Sequence, residues 1–323
     1  PERKEIVKNV DVNDIKVIRS ENNFMNRIID LHQFIVNNGD KKFYETFFKL
    51  NFADLIFSDA VIFYEGDAER MYFESLINRK HSKYINLTRQ YISYCQCGGA
   101  HAHKYFPLLN ELRMTACVFT DIDYDKEREE LEGIDSDKSS NATLNSILSG
   151  ENKNVGSIYQ QQRENRRKNI EVFTQTCHDG YSRTLEEAIL YKLLFPIPPY
   201  SEVNRRKYRS QMITAFVNVK RVKRKIKSRK YNQANRNVNK NKNKGVFIKH
   251  KRDFWKYINS KSKLVFSIPT KKGLAISIRD VVNSLDKTDF MYSIIMNGKE
   301  VEVLPNYIEE GLLWLNNKIT STK

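Results

Sequence analysis

At 323 residues, with 40% hydrophobic and 11% aromatic side chains, the chain can bury a sizeable core in one large domain or two ordinary ones. No run of 18 apolar residues occurs, which excludes a membrane-spanning helix, and the charged start Pro1-Glu2-Arg3-Lys4-Glu5 lacks the apolar stretch of a secretory signal. Four cysteines without a disulfide framework (Cys95, Cys97, Cys117, Cys177) predict a reducing, cytoplasmic setting, and a first residue other than Met predicts a piece of a longer protein.

The formal net charge is +16, unevenly distributed. Between Arg205 and Lys263 stand 22 Lys or Arg and one acid, Asp253, a net of +21 that leaves −5 on the rest (16 minus 21). A basic segment beside a mildly acidic body favours a polyanionic partner, nucleic acid first. Composition does not distinguish binding that partner from cutting it.

In chain order, residues 1 to about 20 are polar with a β-like run at Ile15-Lys16-Val17-Ile18. From about Asn22 to Phe57 the spacing predicts helices. Phe24, Ile28, Leu31, Phe34 and Ile35 form one face, and Phe43, Phe47, Phe48, Leu50 and Phe52 a second, with a break at Gly39-Asp40. Aromatic stripes at this spacing are packing faces. Asp59 to Tyr64 predicts a strand, Glu65-Gly66-Asp67 a tight turn, and Met71, Phe73, Leu76 and Ile77 a helix. Tyr84 to Ser93 predicts a second strand region running to Cys97-Gly98-Gly99, His103 to Leu112 a helix, and Thr115 to Thr120 a third strand ending in Asp121-Ile122-Asp123. Alternating strands and helices predict an α/β fold with a parallel sheet. Sites in such sheets lie beyond the carboxyl ends of the strands, where both acidic clusters fall.

Asp125 to about Arg183 reads as a long polar excursion, helical at Gln160 to Phe173. Thr184 with Glu187 three residues on predicts a capping box, and Phe195-Pro196-Ile197-Pro198-Pro199 ends that helix. Tyr231 to Lys244, rich in Asn and Lys, predicts a solvated loop. The last sixty residues regain helical faces at Leu274, Ile276, Ile278, Val281 and Val282, then at Ile308, Leu312, Leu313 and Leu315.

Glu65-x-x-x-Glu69 sets two carboxylates four apart at a strand-to-helix junction, with Gly66 allowing a tight turn. Asp121-x-Asp123 sets two more on one face of a strand end. Converging acids repel one another unless cations neutralise them. Oxygen-only sites of this kind suit Mg²⁺ or Mn²⁺, and two such ions can drive phosphodiester hydrolysis. Either pair alone is a common surface pattern; their order, each after a strand, makes the case.

Val61-Ile62-Phe63-Tyr64-Glu65-Gly66-Asp67-Ala68-Glu69 followed by Thr120-Asp121-Ile122-Asp123 resembles a Toprim domain, and more narrowly that of the OLD-family nucleases (overcoming lysogenization defect). Leu50-Asn51-Phe52-Ala53-Asp54, Cys97-Gly98-Gly99-Ala100-His101 and Thr184-Leu185-Glu186 resemble further phrases of that family, and the resemblance runs from about Lys49 to Ile189. It implies a Rossmann-like parallel sheet flanked by helices and a metal-dependent endonuclease with a two-ion site formed by Glu65, Glu69, Asp121, Asp123, Thr184 and Glu186. Glu65 and Asp121 would be catalytic, with a lysine near the scissile phosphate. The best match for that lysine is Lys272 in Thr270-Lys271-Lys272-Gly273.

The resemblance divides the chain into a helical lead-in at 1–57, a Toprim core at 58–200 with its excursion at 124–183, a basic DNA-contacting insertion at 201–263 and a helical C-terminal part at 264–323. It further implies an ABC-type ATPase domain in the same protein, homo-oligomers, a helicase partner in some relatives, and a role in phage defence or DNA processing. No Gly-x-x-x-x-Gly-Lys-Ser/Thr stands in this chain, so ATP would enter only through a module outside it.

Asp125 extends the acids to a triple spacing resembling topoisomerase and primase Toprims, and reads as a loop carboxylate. Cys95-x-Cys97 with His101-x-His103 is too short a spacing for an ordinary structural zinc site. Cys177-His178-Asp179 reads as loop polarity. Aromatics punctuate the basic segment (Tyr208, Phe216, Tyr231, Phe247, Phe254, Trp255, Tyr257), as sequence-independent nucleic-acid grooves require. Two alternatives to the nuclease are a topoisomerase- or primase-like enzyme, and a non-catalytic DNA-binding mediator on the same fold.

Overall fold

A computed structural model describes residues 10–22, 25–50, 52–79, 82–97, 101–124, 137–148, 154–161, 169–179, 182–194, 282 and 286–321. The basic insertion, Asp125, Lys272 and the run from Leu274 to Val281 lie outside them.

The chain enters through an antiparallel hairpin, β1 (Lys16–Asn22) and β2 (Met25–Asp30). This corrects the helical face predicted from Asn22. The pattern at Met25–Asp30 has period two, so Ile29 is buried while Ile28, paired with Ile18 across the strands, faces solvent. Helix α1 (Leu31–Asn38) starts where Asp30 accepts a hydrogen bond from Gln33 N at 3.1 Å. It stops at Gly39, whose φ of +73° is the left-handed cap that glycine takes without strain. Helices α2 (Lys41–Leu50) and α3 (Phe52–Ile56) follow as the aromatic spacing predicts.

The centre is a four-stranded sheet of β3 (Ala60–Tyr64), β4 (Ile92–Gln96), β5 (Thr115–Phe119) and β6 (Ile170–Phe173), in the order β4-β3-β5-β6 and parallel throughout. Helices α4 (Asp67–Ile77), α5 (Phe106–Glu111), α6 (Ala142–Ile147), α7 (Val155–Gln161), α8 (Leu185–Leu194), α9 (Lys287–Met296) and α10 (Asn306–Ser321) surround it. The α/β architecture implied by the Toprim resemblance is what the chain adopts. Two expectations change. Only Ile92–Gln96 of the second strand region is extended, the residues before it forming turns and a short 3-10 helix at Leu87–Arg89. The helix expected at Gln160 to Phe173 is two elements, with α7 ending at Gln161 and β6 beginning at Ile170.

Both faces of the sheet are covered, so its central strands β3 and β5 read as near-continuous apolar runs. Ala60, Ile62, Tyr64, Cys117, Phe119 and Phe173 point into one core with residues of α4, α8, α9 and α10. Val61, Phe63, Ala116, Val118 and Val172 point into the other, with the hairpin and helices α1, α2, α5, α6 and α7. Helix α10 lies directly against the sheet. A Cβ on Gly311 would lie 2.5 Å from Phe119 Cε1 and 3.0 Å from Phe173 Cγ, so glycine is required for the helix to sit this near the sheet.

Candidate metal centre

Register dictates the site. Two residues beyond the Phe63–Val118 pair, Glu65 comes opposite Thr120; two beyond the Phe119–Phe173 pair, Asp121 comes opposite Gln175. Glu65 Oε1 accepts hydrogen bonds from Thr120 Oγ1 at 2.5 Å and Asp121 N at 3.0 Å. Asp121 Oδ1 accepts from Gln175 Nε2 at 2.7 Å. Glu69, in the first turn of α4, reaches back to accept from Gly66 N at 2.8 Å, half of a capping box around a residue with no side chain.

Asp123 takes a left-handed φ of +46°, which Asp tolerates better than most residues. Its carbonyl is held by Ser140 N at 3.0 Å and Ser140 Oγ at 2.9 Å. Asn141, fully buried at the start of α6, donates to Thr120 Oγ1 at 2.6 Å and to the Asp121 carbonyl at 2.7 Å.

Glu186 arrives from the first turn of α8. Its side chain is 1% exposed, its Oε1 has no hydrogen-bond partner, and its Oε2 stands 3.2 Å from Lys287 Nζ at the start of α9. Thr184, one residue before α8, is half-buried and its Oγ1 accepts from Glu187 N at 3.4 Å. The capping box predicted there is displaced. The Glu187 carboxylate turns instead to Arg183, accepting from its N at 2.8 Å and its Nη2 at 2.9 Å.

The acids act on one another. Burial first, then Glu65, Glu69, Glu186 and Asp123, raise the Asp121 carboxyl well above the ordinary carboxylate range. Burial, then Glu186, pushes Glu69 up to about 7. Glu65 is raised by burial, against the hydrogen bonds from Thr120 and Asp121. For Lys287, burial opposes the charge, but Glu186, Asp121 and Glu69 outweigh it and raise its pKa.

The structure therefore brings Glu65, Glu69, Asp123 and Glu186 within electrostatic reach of Asp121, with Thr184 two residues before Glu186 in the chain. Lys272 lies outside the described residues. Among the described residues the lysine at these acids is Lys287, which sequence reasoning missed because nothing in Asp286-Lys287-Thr288-Asp289 sets it apart from the chain's other lysines. Gln175 was missed with β6, whose brief run Ile170-Glu171-Val172-Phe173 is its only signal.

The donor set is all oxygen, largely buried, and mutually repulsive, and it includes an orphaned carboxylate oxygen. In chemistry that fits a hard divalent cation. Among the described residues no three His, Cys, Asp or Glu side chains meet in an arrangement that could hold a metal as they stand. Ligation would require side chains to close in, with Lys287 giving up Glu186.

Two other sequence features resolve differently. Cys95 and Cys97 are buried, with Cys95 pushed up to about 12 by burial, and the Cys97 thiol donates to the Tyr64 carbonyl at 3.3 Å. Asp179 is not loop polarity but a fully buried junction. Its carboxylate accepts from Asn306 N, at the start of α10, at 2.6 Å and from Thr176 N at 3.1 Å.

Residues 56–123 match the family described as overcoming lysogenization defect protein-like, TOPRIM domain. Endonuclease GajA of Bacillus cereus (strain HuB5-5) is 24% identical over 323 residues, an alignment taking in 95% of this chain and 40% of the relative. The chain thus spans about two fifths of the length of that curated relative. Among solved structures, the C-terminal region of the Burkholderia pseudomallei OLD protein aligns at 15% identity, covering 81% of this chain and 99% of its own, with a TM-score of 0.39. The C-terminal region of the Xanthomonas campestris pv. campestris OLD protein aligns at 16% identity, covering 83% and 97%, with a TM-score of 0.38.

Proposed function

Because this chain carries an OLD-like Toprim domain, we propose that it is the catalytic part of a DNA endonuclease that hydrolyses phosphodiester bonds with two Mg²⁺ or Mn²⁺ ions. The observation carrying this reading is the convergence of Glu65 and Asp121 at adjacent strand ends with Glu69, Asp123 and Glu186 around them.

Glu65, Glu69, Asp121, Asp123, Thr184 and Glu186 would hold the ions. When bound, the ions supply the positive charge that lets carboxylates and a phosphodiester share one pocket, and polarise the scissile phosphate. The chain's own residues do the rest. Thr120 and the Asp121 N–H fix one oxygen of Glu65. Gly66 N fixes one oxygen of Glu69.

We assign the phosphate-side lysine to Lys287 rather than Lys272, because Lys287 already stands at Glu186. Released from that carboxylate, its ammonium has three donors for the charge that develops on the transferring phosphoryl oxygens. The basic segment from Arg205 to Lys263 would hold the DNA strand, offsetting repulsion between phosphates and the acidic pocket. In the longer protein we would place this part beside an ATPase module, in homo-oligomers and in some cases with a helicase partner, acting in the cytoplasm in phage defence or DNA processing.

Nicking of supercoiled plasmid in Mg²⁺ or Mn²⁺ tests the reading. Wild type should release free ends and be silenced by chelator, with a loss on the order of 10³-fold in Glu65→Ala and Asp121→Ala. Lys287→Ala should cut far more slowly than Lys272→Ala. Binding without cutting, unchanged in Glu65→Ala, would support the mediator; a covalent tyrosyl–DNA adduct would support a topoisomerase.

A further inference from the structure

We infer that Gln175 is a positioning residue for the metal-side carboxylate of Asp121, an inference that rests on the metal reading above. Gln175 stands two residues past the end of β6 and is fully buried. All of its hydrogen-bonding capacity is committed. Oε1 accepts from Ile122 N at 2.9 Å and Thr174 Oγ1 at 3.1 Å, while Nε2 donates to Asp121 Oδ1 at 2.7 Å and to Tyr307 Oη at 3.1 Å.

The orientation of this amide is forced. A backbone N–H can only donate, so the Ile122 N–H requires Oε1 on its side and places Nε2 against Asp121. Asp121 Oδ1 must then be an acceptor, and the carboxylate is pinned by that oxygen, leaving its other one as the oxygen available to a cation. A glutamine carries no charge and has nothing left to offer a ligand, so its effect on the site passes through Asp121. Partners of this kind around metal-binding carboxylates typically change affinity or activity by about 10–100-fold. Tyr307 extends the chain of contacts to α10, so the pin is anchored in the helix that closes the sheet.

Mn²⁺ binding to the full chain, read from the electron paramagnetic resonance signal of free Mn²⁺, tests this without reference to cleavage. Gln175→Glu keeps an acceptor for Ile122 N but sets a second acceptor against Asp121 Oδ1, and Gln175→Met removes both contacts. Each should weaken Mn²⁺ binding by about 10–100-fold. In an Asp121→Ala background the same changes should cause no further loss, whereas a residue that merely braces the sheet would add its own loss there.

A folded Gln175 variant with wild-type Mn²⁺ affinity, or an equal loss in both backgrounds, overturns the inference and leaves the metal reading standing. Wild type that binds no Mn²⁺ overturns both. Should the variants fail to fold, the side-chain amide resonances of Gln175 in ¹⁵N-labelled wild type decide. They should shift as Mg²⁺ saturates the site, and unmoved resonances at saturation overturn the assignment.

Discussion

The interior of the sheet and its carboxyl end are built from the same strands on opposite energetic principles. Inside, Ile62, Phe119 and Phe173 on one face and Phe63 and Val118 on the other are removed from water, and nothing polar is asked of them. Beyond the last residues of β3, β5 and β6 the chain buries Glu69, Asp121 and Glu186 within reach of one another, an arrangement that costs stability in the absence of a cation. The first region stabilises the fold; the second draws on that stability to hold like charges together.

The largest break in the comparison should come from the interior. Phe73 is fully buried and packs on Phe119 with ring centroids 4.6 Å apart. Phe73→Ala should lower unfolding free energy by about 3–5 kcal/mol in denaturant titrations. Gly311→Ala should be smaller, about 1–3 kcal/mol, because its methyl group must push two rings apart.

The carboxyl end should answer with the opposite sign. Glu69→Gln retains an acceptor for Gly66 N but removes one charge, so the metal-free protein at pH 8 should gain roughly 1–2 kcal/mol while metal-dependent cleavage is lost. A gain in both stability and cleavage would refute the division between the two regions.

The smallest expected effect is the pH dependence. A carboxyl raised on folding from about 4.5 to about 7 holds its proton longer in the folded state. Its contribution is full below the unfolded value and is lost as pH rises through the folded one. In chelator the melting midpoint should therefore drift down by a few degrees between pH 5 and pH 8, and added Mg²⁺ should restore more at pH 8 than at pH 6.

Legibility in the sequence tracked the length of the signal. The strand from Ala60 to Tyr64, its turn and the helix after it were plain because an apolar run of β-formers meets a 3.6-residue period at a glycine. The hairpin is hidden in the sequence because Leu31, Phe34 and Ile35 do lie on a helix, and Ile28 continues their spacing backwards into residues that alternate with period two. Strand β6 is illegible because four residues, of which only Val172 and Phe173 are buried, are too few to set a period. The acids stood in motifs that could be quoted, but Gln175 and Lys287 could not be found without the register and the packing that bring distant segments together. Single polar residues carry no pattern; only their neighbours in space give them a role.

The last helix bears on how this protein can be handled. Asn306 closes on Asp179, Tyr307 holds the amide of Gln175, and Gly311 lies flat against Phe119 and Phe173. A truncation that stops short of Asn306 would therefore strip a cover from the sheet and untie a support of the acid pocket in one cut, although it removes none of the nominated acids. Expression boundaries for this protein are safest drawn beyond Ser321.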